Sequence, residues 1–337
     1  MTKMTMARGV AALAMGLMGA AAMAQDLLPL RIQVYPGNLT SLYAYLGVEN
    51  GMYKKHGLDA TLINISSGPQ ANAALAGGSV DVVLSAPDNM LLFRERGFDP
   101  VAISGNAKEP LFVLMGQEDL VQKYGKQSYK QVMQALEGKT VGIYGRGSSS
   151  DRFVRLLARD AGIDPERIQY SAVSNPGQSL AGMMGKQLDA VTEVFAGKVL
   201  IRQKNAGQVL LDCLKQECPA WVVETGKMSQ AYWTTRAILK KSPEAAERFL
   251  AANKDIDAWV RNPANREALI AALTKIYQAP SELDAKAYFT AIADQIPGYF
   301  TVATSVPALA ALQDLMRSTG ELKESKDVGA MFWDKAQ

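Results

Sequence analysis

Histidine is almost missing from this chain: among 337 residues there is one, His56. Imidazole-based metal sites and Ser–His or Cys–His nucleophile pairs need more than a lone histidine in a lysine-flanked corner, and no nucleophile elbow accompanies it. Cysteine is nearly as scarce. Cys213 and Cys218, with four residues between them and no histidine nearby, do not complete a zinc set. In an oxidising compartment the two fit a local disulfide that pins a surface turn; two free thiols are the other reading. An excess of one charge is lacking too. The chain holds 36 basic and 33 acidic side chains, so composition points to neither nucleic acid nor an anionic membrane.

Long apolar runs are absent apart from one at the start, Gly9 to Ala22, which is too short and glycine-rich to span a bilayer. It follows Lys3 and Arg8 and precedes Ala22-Met23-Ala24, an A-x-A cleavage pattern, so residues 1–24 read as a signal peptide and the mature chain is expected to begin at Gln25. Without Lys3 and Arg8 the balance is 34 basic to 33 acidic. No cysteine stands at the junction, which argues against a lipid anchor. What remains is an exported globular chain of two domains' length, at about 150 residues each.

What the sequence does contain is a repeated unit. Ala60 to Ile65 is β-prone, Ser66-Ser67-Gly68-Pro69 is a turn with proline placed for a helix start, and Ala71 to Ala76 favours helix. Gly77-Gly78 stops that helix, and Val80 to Leu84 is a second strand. Strand, helix and strand in so short a stretch form a βαβ unit with buried parallel strands. Before it, Leu30 to Tyr35 is a strand that turns at Pro36-Gly37-Asn38.

The pattern returns after Gly138-Lys139. Thr140 to Tyr144 is a strand, Gly145 to Asp151 its elbow, and Arg152 to Ala161 an amphipathic helix. Ile168 to Val173 is the next strand, followed by Ser174-Asn175-Pro176-Gly177 and a helix. Gly185-Lys186-Gln187-Leu188-Asp189-Ala190-Val191 matches Gly77-Gly78-Ser79-Val80-Asp81-Val82-Val83 in order and spacing, so the second half restates the first. Asp81 and Asp189 hold equivalent places before strands and read as caps or braces rather than as ligand contacts. From Thr225 onward the texture is helical, with packing stripes such as Phe249, Ile256, Trp259 and Val260.

Three segments carry a family resemblance. Leu46-Gly47-Val48-Glu49-Asn50-Gly51-Met52-Tyr53-Lys54-Lys55-His56-Gly57-Leu58 resembles the A-x-x-x-G-x-F-x-x-x-G-L corner of periplasmic solute-binding proteins of the sulfonate, nitrate and thiamine-precursor group. Ser67-Gly68-Pro69-Gln70 with Ala73 to Asp81 is similar to that group's S-G-x-x-x-x-x-A-L-x-x-G-x-x-D, and Leu136-Glu137-Gly138-Lys139-Thr140-Val141-Gly142 to its L-x-G-K-x-V-G.

The resemblance implies an α/β chain of the two-lobe type II periplasmic binding fold. Each lobe would be a mostly parallel sheet flanked by helices, hinge-linked by two crossovers. Lobe I is expected over 25–115 and 225–337, and lobe II over 116–224. It further implies a periplasmic monomer that closes on a small molecule and presents it transiently to an inner-membrane ABC permease. A ligand-binding partner of a membrane sensor and an exported enzyme are the alternatives. The group's thiamine-pyrimidine-forming enzymes use histidines and a cysteine-rich motif that this chain lacks, which favours binding without catalysis and without a cofactor or metal.

In parallel α/β sheets ligands sit beyond the carboxyl ends of the strands. The candidate binding residues are therefore Asn38, Ser67, Gly68, Asp88, Arg146, Ser148, Ser149, Ser150, Asn175, Thr192, Glu193 and Tyr232. Glycine and serines at a helix start make an anion cradle, to which Arg146 could add a charge-assisted bond, although the same serines suit simple capping. Asp88 and Glu193 suggest an amine or ring N–H on the ligand, unless either is paired across the lobes. Asn38 and Asn175 suit turns equally well. Tyr35, Phe195, Tyr232 and Trp233 are the aromatics available to line an apolar wall, with core packing the competing role.

Overall fold

The computed structural model describes residues 27–110, 112–277, 279 and 284–336, without the side chain of residue 195. The expected signal peptide, 1–24, lies outside the described residues. Ten strands follow in order: β1 (Leu28–Val34), β2 (Leu58–Asn64), β3 (Val83–Ser85), β4 (Pro100–Ala107), β5 (Val113–Gly116), β6 (Thr140–Ile143), β7 (Gln169–Ala172), β8 (Ala190–Glu193), β9 (Gln208–Leu211) and β10 (Gln230–Thr235).

In lobe I, β1 pairs with β2 in parallel, Leu28 opposite Leu58 through Val34 opposite Asn64. The β3 segment joins the other side of β1 through the parallel Ile32–Val82 bridge, and the Gln33 N–H donates to the Val82 carbonyl at 2.9 Å. β10 then runs antiparallel to both β3 and β4. The order is thus β2-β1-β3-β10-β4. Lobe II has the order β7-β6-β8-β5-β9, with β7, β6 and β8 parallel and β5 antiparallel to β8 and β9. The two orders are the same, so the repeat read from the sequence is a repeat of topology.

The shared acidic position works as a brace in both lobes. Asp81 accepts from the Arg31 N–H at 2.8 Å and pairs with its guanidinium at 2.7 Å. Asp189 accepts from the Thr140 N–H at 2.9 Å and pairs with Lys139 at 3.2 Å. Each carboxylate thereby ties the entry to its own strand to the lobe's first strand, at Arg31 in the middle of β1 and at Thr140 at the start of β6.

One boundary differs from expectation. β5 begins at Val113 and pairs wholly within lobe II, so the chain leaves lobe I ahead of residue 113 and not after Met115. An apolar run records burial, not which of two sheets buries it. The return crossover precedes β10, and the two crossovers touch: a Cβ on Gly226 would lie 2.9 Å from the Pro110 nitrogen. Cys213 and Cys218 are bonded, with their Cα atoms 5.4 Å apart, in the turn that follows β9.

Separate apolar cores flank each sheet. Tyr43, Tyr53, Phe249 and Phe289 anchor one in lobe I, and Leu114, Val132, Val141 and Leu157 one in lobe II. Long C-terminal helices, including Pro243–Arg261 and Val306–Ser318, pack back onto lobe I. Phe300 and Phe332 bridge to β4 and cover that otherwise open sheet edge.

Candidate functional site

The strand ends that matter are held in place by a buried glutamine. Gln33 in β1 is fully buried; its Nε2 donates to the Ile65 carbonyl just after β2, and its Oε1 accepts from the Leu84 N–H in β3. One side chain thus fixes where all three parallel strands of lobe I end. Five helices and one short 3-10 turn begin at those ends and at their lobe II counterparts: Leu39–Ser41, Gly68–Ala76 and Pro87–Glu95, then Ser149–Asp160, Pro176–Met184 and Phe195–Gln203. Each helix start carries backbone N–H groups without intrahelical partners and a partial positive charge.

Between the lobes lies a cavity of about 60 Å³. From lobe I it is lined by Tyr35, Asn38 and Thr40 beyond β1, by Ser66, Ser67 and Gly68 beyond β2, by Asn89 beyond β3, and by Gln230 on β10. Lobe II supplies Tyr144, Ser148, Ser149 and Ser150 beyond β6, Ser174 beyond β7 and Val194 beyond β8; Phe112 comes from the crossover. Among the described residues no lining side chain carries a charge. Backbone donors, hydroxyls, amides and three aromatic rings make up the wall.

Six of the residues chosen from sequence meet here: Asn38, Ser67, Gly68, Ser148, Ser149 and Ser150. Their hydroxyls are not equally available. The Ser148 Oγ accepts from the Asp151 N–H, and the Ser150 Oγ accepts from the Tyr144 N–H at 2.7 Å. Asn38 accepts from the Thr40 N–H and hydroxyl. Ser67, although the N-cap of its helix, makes no side-chain cap bond. Among the described residues, it is the serine of these six whose hydroxyl is left for an occupant, beside the free amides of its own helix start. Gly68 is dictated by contact, since a Cβ there would come within 2.4 Å of the Asn89 amide.

The other six lie elsewhere. Asp88 is turned across the interlobe gap: it accepts from the Ser149 hydroxyl at 2.8 Å and from Arg152 Nε at 2.6 Å, so its charge is spent on a cation from lobe II. Arg146 is exposed and stacks over the Tyr170 ring at 4.6 Å, away from the cavity. Asn175 caps its own helix, accepting from the Gln178 N–H, and faces a neighbouring groove. Thr192 is fully buried within β8 and donates to the Gly142 carbonyl at 3.1 Å. Glu193 ends that strand behind Tyr144, fully buried, accepting from the Tyr144 hydroxyl at 2.8 Å. Burial pushes its pKa up to about 7, against the pull of Ser179 and Tyr144. Tyr232 packs edge-on against Phe249 in the lobe I core. The second amine-binding acid therefore vanishes with the first.

Of the aromatics, Tyr35 lines the cavity and donates to the Ser85 hydroxyl at 3.2 Å, Trp233 is core, and the Phe195 side chain lies outside the described residues. Sequence reasoning left out Thr40, Phe112, Tyr144, Ser174, Val194 and Gln230 as site residues. Ser174 adjoins the chosen Asn175 and Tyr144 ends the strand ahead of the chosen elbow; Gln230 sits on a strand that enters from the crossover, where strand-end logic gives no signal. The Gln230 Oε1 accepts from Asn106 Nδ2, which leaves its Nε2 donors for an occupant.

Solved structures with this architecture cover nearly all of the chain. The alkanesulfonate-binding protein SsuA from Xanthomonas axonopodis pv. citri, bound to MOPS, superposes with a TM-score of 0.70 at 17% identity over 92% of this chain and 99% of its own. The periplasmic aliphatic sulphonate binding protein SsuA from Escherichia coli gives 0.68 at 21% over 92% of each, and the nitrate-binding protein NrtA from Synechocystis PCC 6803 gives 0.71 at 12% over 92% and 87%. The fold is the two-lobe fold of periplasmic binding proteins. In sequence, the Brucella abortus (strain 2308) protein BAB2_1146 is 24% identical over 303 residues, 90% of this chain and 89% of its own length. The model of the NMT1/THI5-like family matches residues 38–265, more than half of the chain and every lining turn from Asn38 to Gln230, and the protein belongs to that family.

Proposed function

We propose that this protein is the periplasmic solute-binding component of an ABC-type importer, which captures a small acid-bearing organic molecule between its lobes and hands it, unaltered, to an inner-membrane permease. The observation that carries the reading is the uncharged cavity ringed by helix starts from both lobes. Helix N-termini and hydroxyls favour a carboxylate or sulfonate oxygen, and with no cationic side chain in the wall they suit a single negative charge rather than several. Asp88 and Glu193 are engaged elsewhere, so the amine on the ligand that they suggested is dropped. Tyr35, Phe112 and Tyr144 provide apolar faces for the rest of the molecule.

Binding without turnover is the reading that agrees with the binding-protein relatives and neighbours, BAB2_1146 and the two SsuA proteins among them. The expected export signal fits this site of action, as do the periplasmic binding proteins that share the fold. Among the described residues no helix is long and apolar enough to cross a membrane.

The test is a thermal-shift screen of small carboxylates, sulfonates and amines on refolded, ligand-free protein, with mass-spectrometric recovery of each hit. A fitting acid at a hundredfold its dissociation constant stabilises the fold by about 2.7 kcal/mol and is recovered intact. Stabilisation by amines and by no acid would overturn the ligand class. Recovery of a changed molecule would overturn the binding role in favour of an enzyme.

A further inference from the structure

The Ser149–Asp160 helix carries Arg152 in its first turn, where a cation opposes the helix dipole. Something must compensate for it. Arg152 reaches out of lobe II and lies between two acids of lobe I: Asp88 at 2.6 Å and Glu321 at 3.8 Å. The Asp88 and Arg152 side chains are only 7% and 9% exposed. Asp88 opens the helix after β3, and Glu321 follows the Val306–Ser318 helix, so both acids move with lobe I. Arg152 Nη2 also donates to the Gly147 carbonyl at 3.0 Å, which keeps the guanidinium anchored to its own lobe.

Three further bonds cross the gap at the same place, one of them from Arg152 Nη2 to Asn89 Oδ1 at 3.4 Å. The Ser149 hydroxyl donates to Asp88 and accepts from Asn89 Nδ2 at 3.0 Å. Both Ser149 and Asn89 line the cavity, whereas Arg152 does not. A buried ion pair costs desolvation and is recovered only when its geometry is complete. When its partners belong to separate bodies, completion requires that the bodies meet.

We propose that Arg152 is a latch for lobe closure: a positioning residue that touches no solute, holds the lobes together through Asp88 and Glu321, and sets Asn89 and Ser149 against the cavity. This goes beyond the solute-binding reading and holds whatever the solute is. Opening the lobes rehydrates the three charges, so the pair favours closure by what its contacts gain beyond that hydration, and removing Arg152 leaves the two acids unpaired wherever the lobes are closed.

The test needs no ligand, which keeps its failure distinct from that of the proposed function. Gln70→Cys on lobe I and Met184→Cys on lobe II are exposed positions for a pair of spin labels, and among the described residues no native cysteine is free to compete. Pulsed electron spin resonance on the full, ligand-free chain then reads the closed-to-open ratio. Arg152→Gln is expected to lower that ratio at least tenfold with an unchanged far-UV circular dichroism spectrum, and Glu321→Gln about threefold. Arg152→Lys, which keeps the charge but loses the fork, should fall between wild type and Arg152→Gln. Should Arg152→Gln fail to fold, the Lys and Glu321→Gln variants decide the matter alone. A folded set of variants with the wild-type distance distribution, or a wild-type chain with no closed population, overturns the latch.

Discussion

The Tyr144 hydroxyl donates to Glu193 at 2.8 Å, joining a ring on the cavity wall to a fully buried carboxyl behind it. A Cβ on Gly197 would come within 1.8 Å of that carboxylate, so the helix after β8 can approach only because glycine stands there. Glu193 is thus a backstop for Tyr144, and its titration should register in stability.

Its folded pKa, about 7, stands above the ordinary 4.5. Between those values the native state holds the proton and the unfolded chain does not, so stability falls as pH rises through that window and levels off above it. Burial raises the Glu321 pKa as well, adding to the same slope. Glu193→Gln should remove up to about 3 kcal/mol of this pH dependence, read as a smaller difference between denaturation midpoints at pH 5 and pH 7.5. An unchanged slope would mean that Glu193 is ionised in the fold.

Ser67→Ala should weaken binding of an acid found in the screen by roughly tenfold, about 1.4 kcal/mol, while leaving unfolding nearly unchanged, because that hydroxyl does not cap its helix. Ser148→Ala should do the reverse, costing about 1 kcal/mol of stability through loss of the cap to Asp151 with a smaller effect on affinity. Calorimetric titration alongside urea denaturation separates the two.

Gly68→Ala should destabilise by about 1–3 kcal/mol, since its Cβ would meet the Asn89 amide at 2.4 Å. The displaced Asn89 would lose its bond to Ser149, so affinity should drop as well. Adding Asn89→Ala should restore part of the stability but not the affinity. Additive losses in the double variant would show that the two residues do not collide.

Breaking the Cys213–Cys218 bond, by reduction or by paired alanines, should cost about 2 kcal/mol, as expected for so short a loop in the chain-entropy account. Denaturation with and without reductant measures it.

Much of this architecture could be read from residue patterns. The βα units around Ser66-Ser67-Gly68 and Gly145 to Asp151 and the paired aspartates follow from turn chemistry and repetition, which act over short distances, whereas the cysteine bridge is one of two readings that the export compartment and the close spacing allow. Side-chain direction at strand ends does not. Thr192 and Glu193 occupy the right topological place yet lie within β8, one bonded into the sheet and the other folded behind Tyr144. Asp88 shows a second limit: its partner, 64 positions away, sits on a helix of the other lobe. The one available hint was Arg152 itself, a cation where a helix disfavours one, and that points to a nearby acid without saying which.

The strand orders carry a consequence for synthesis. The sheet holding β5 to β9 is complete once Leu211 has been made, whereas the sheet built on β1 cannot close until β10 arrives and the tail has covered β4. On the ribosome the middle of this polypeptide can therefore settle while its beginning still waits for a partner from its end.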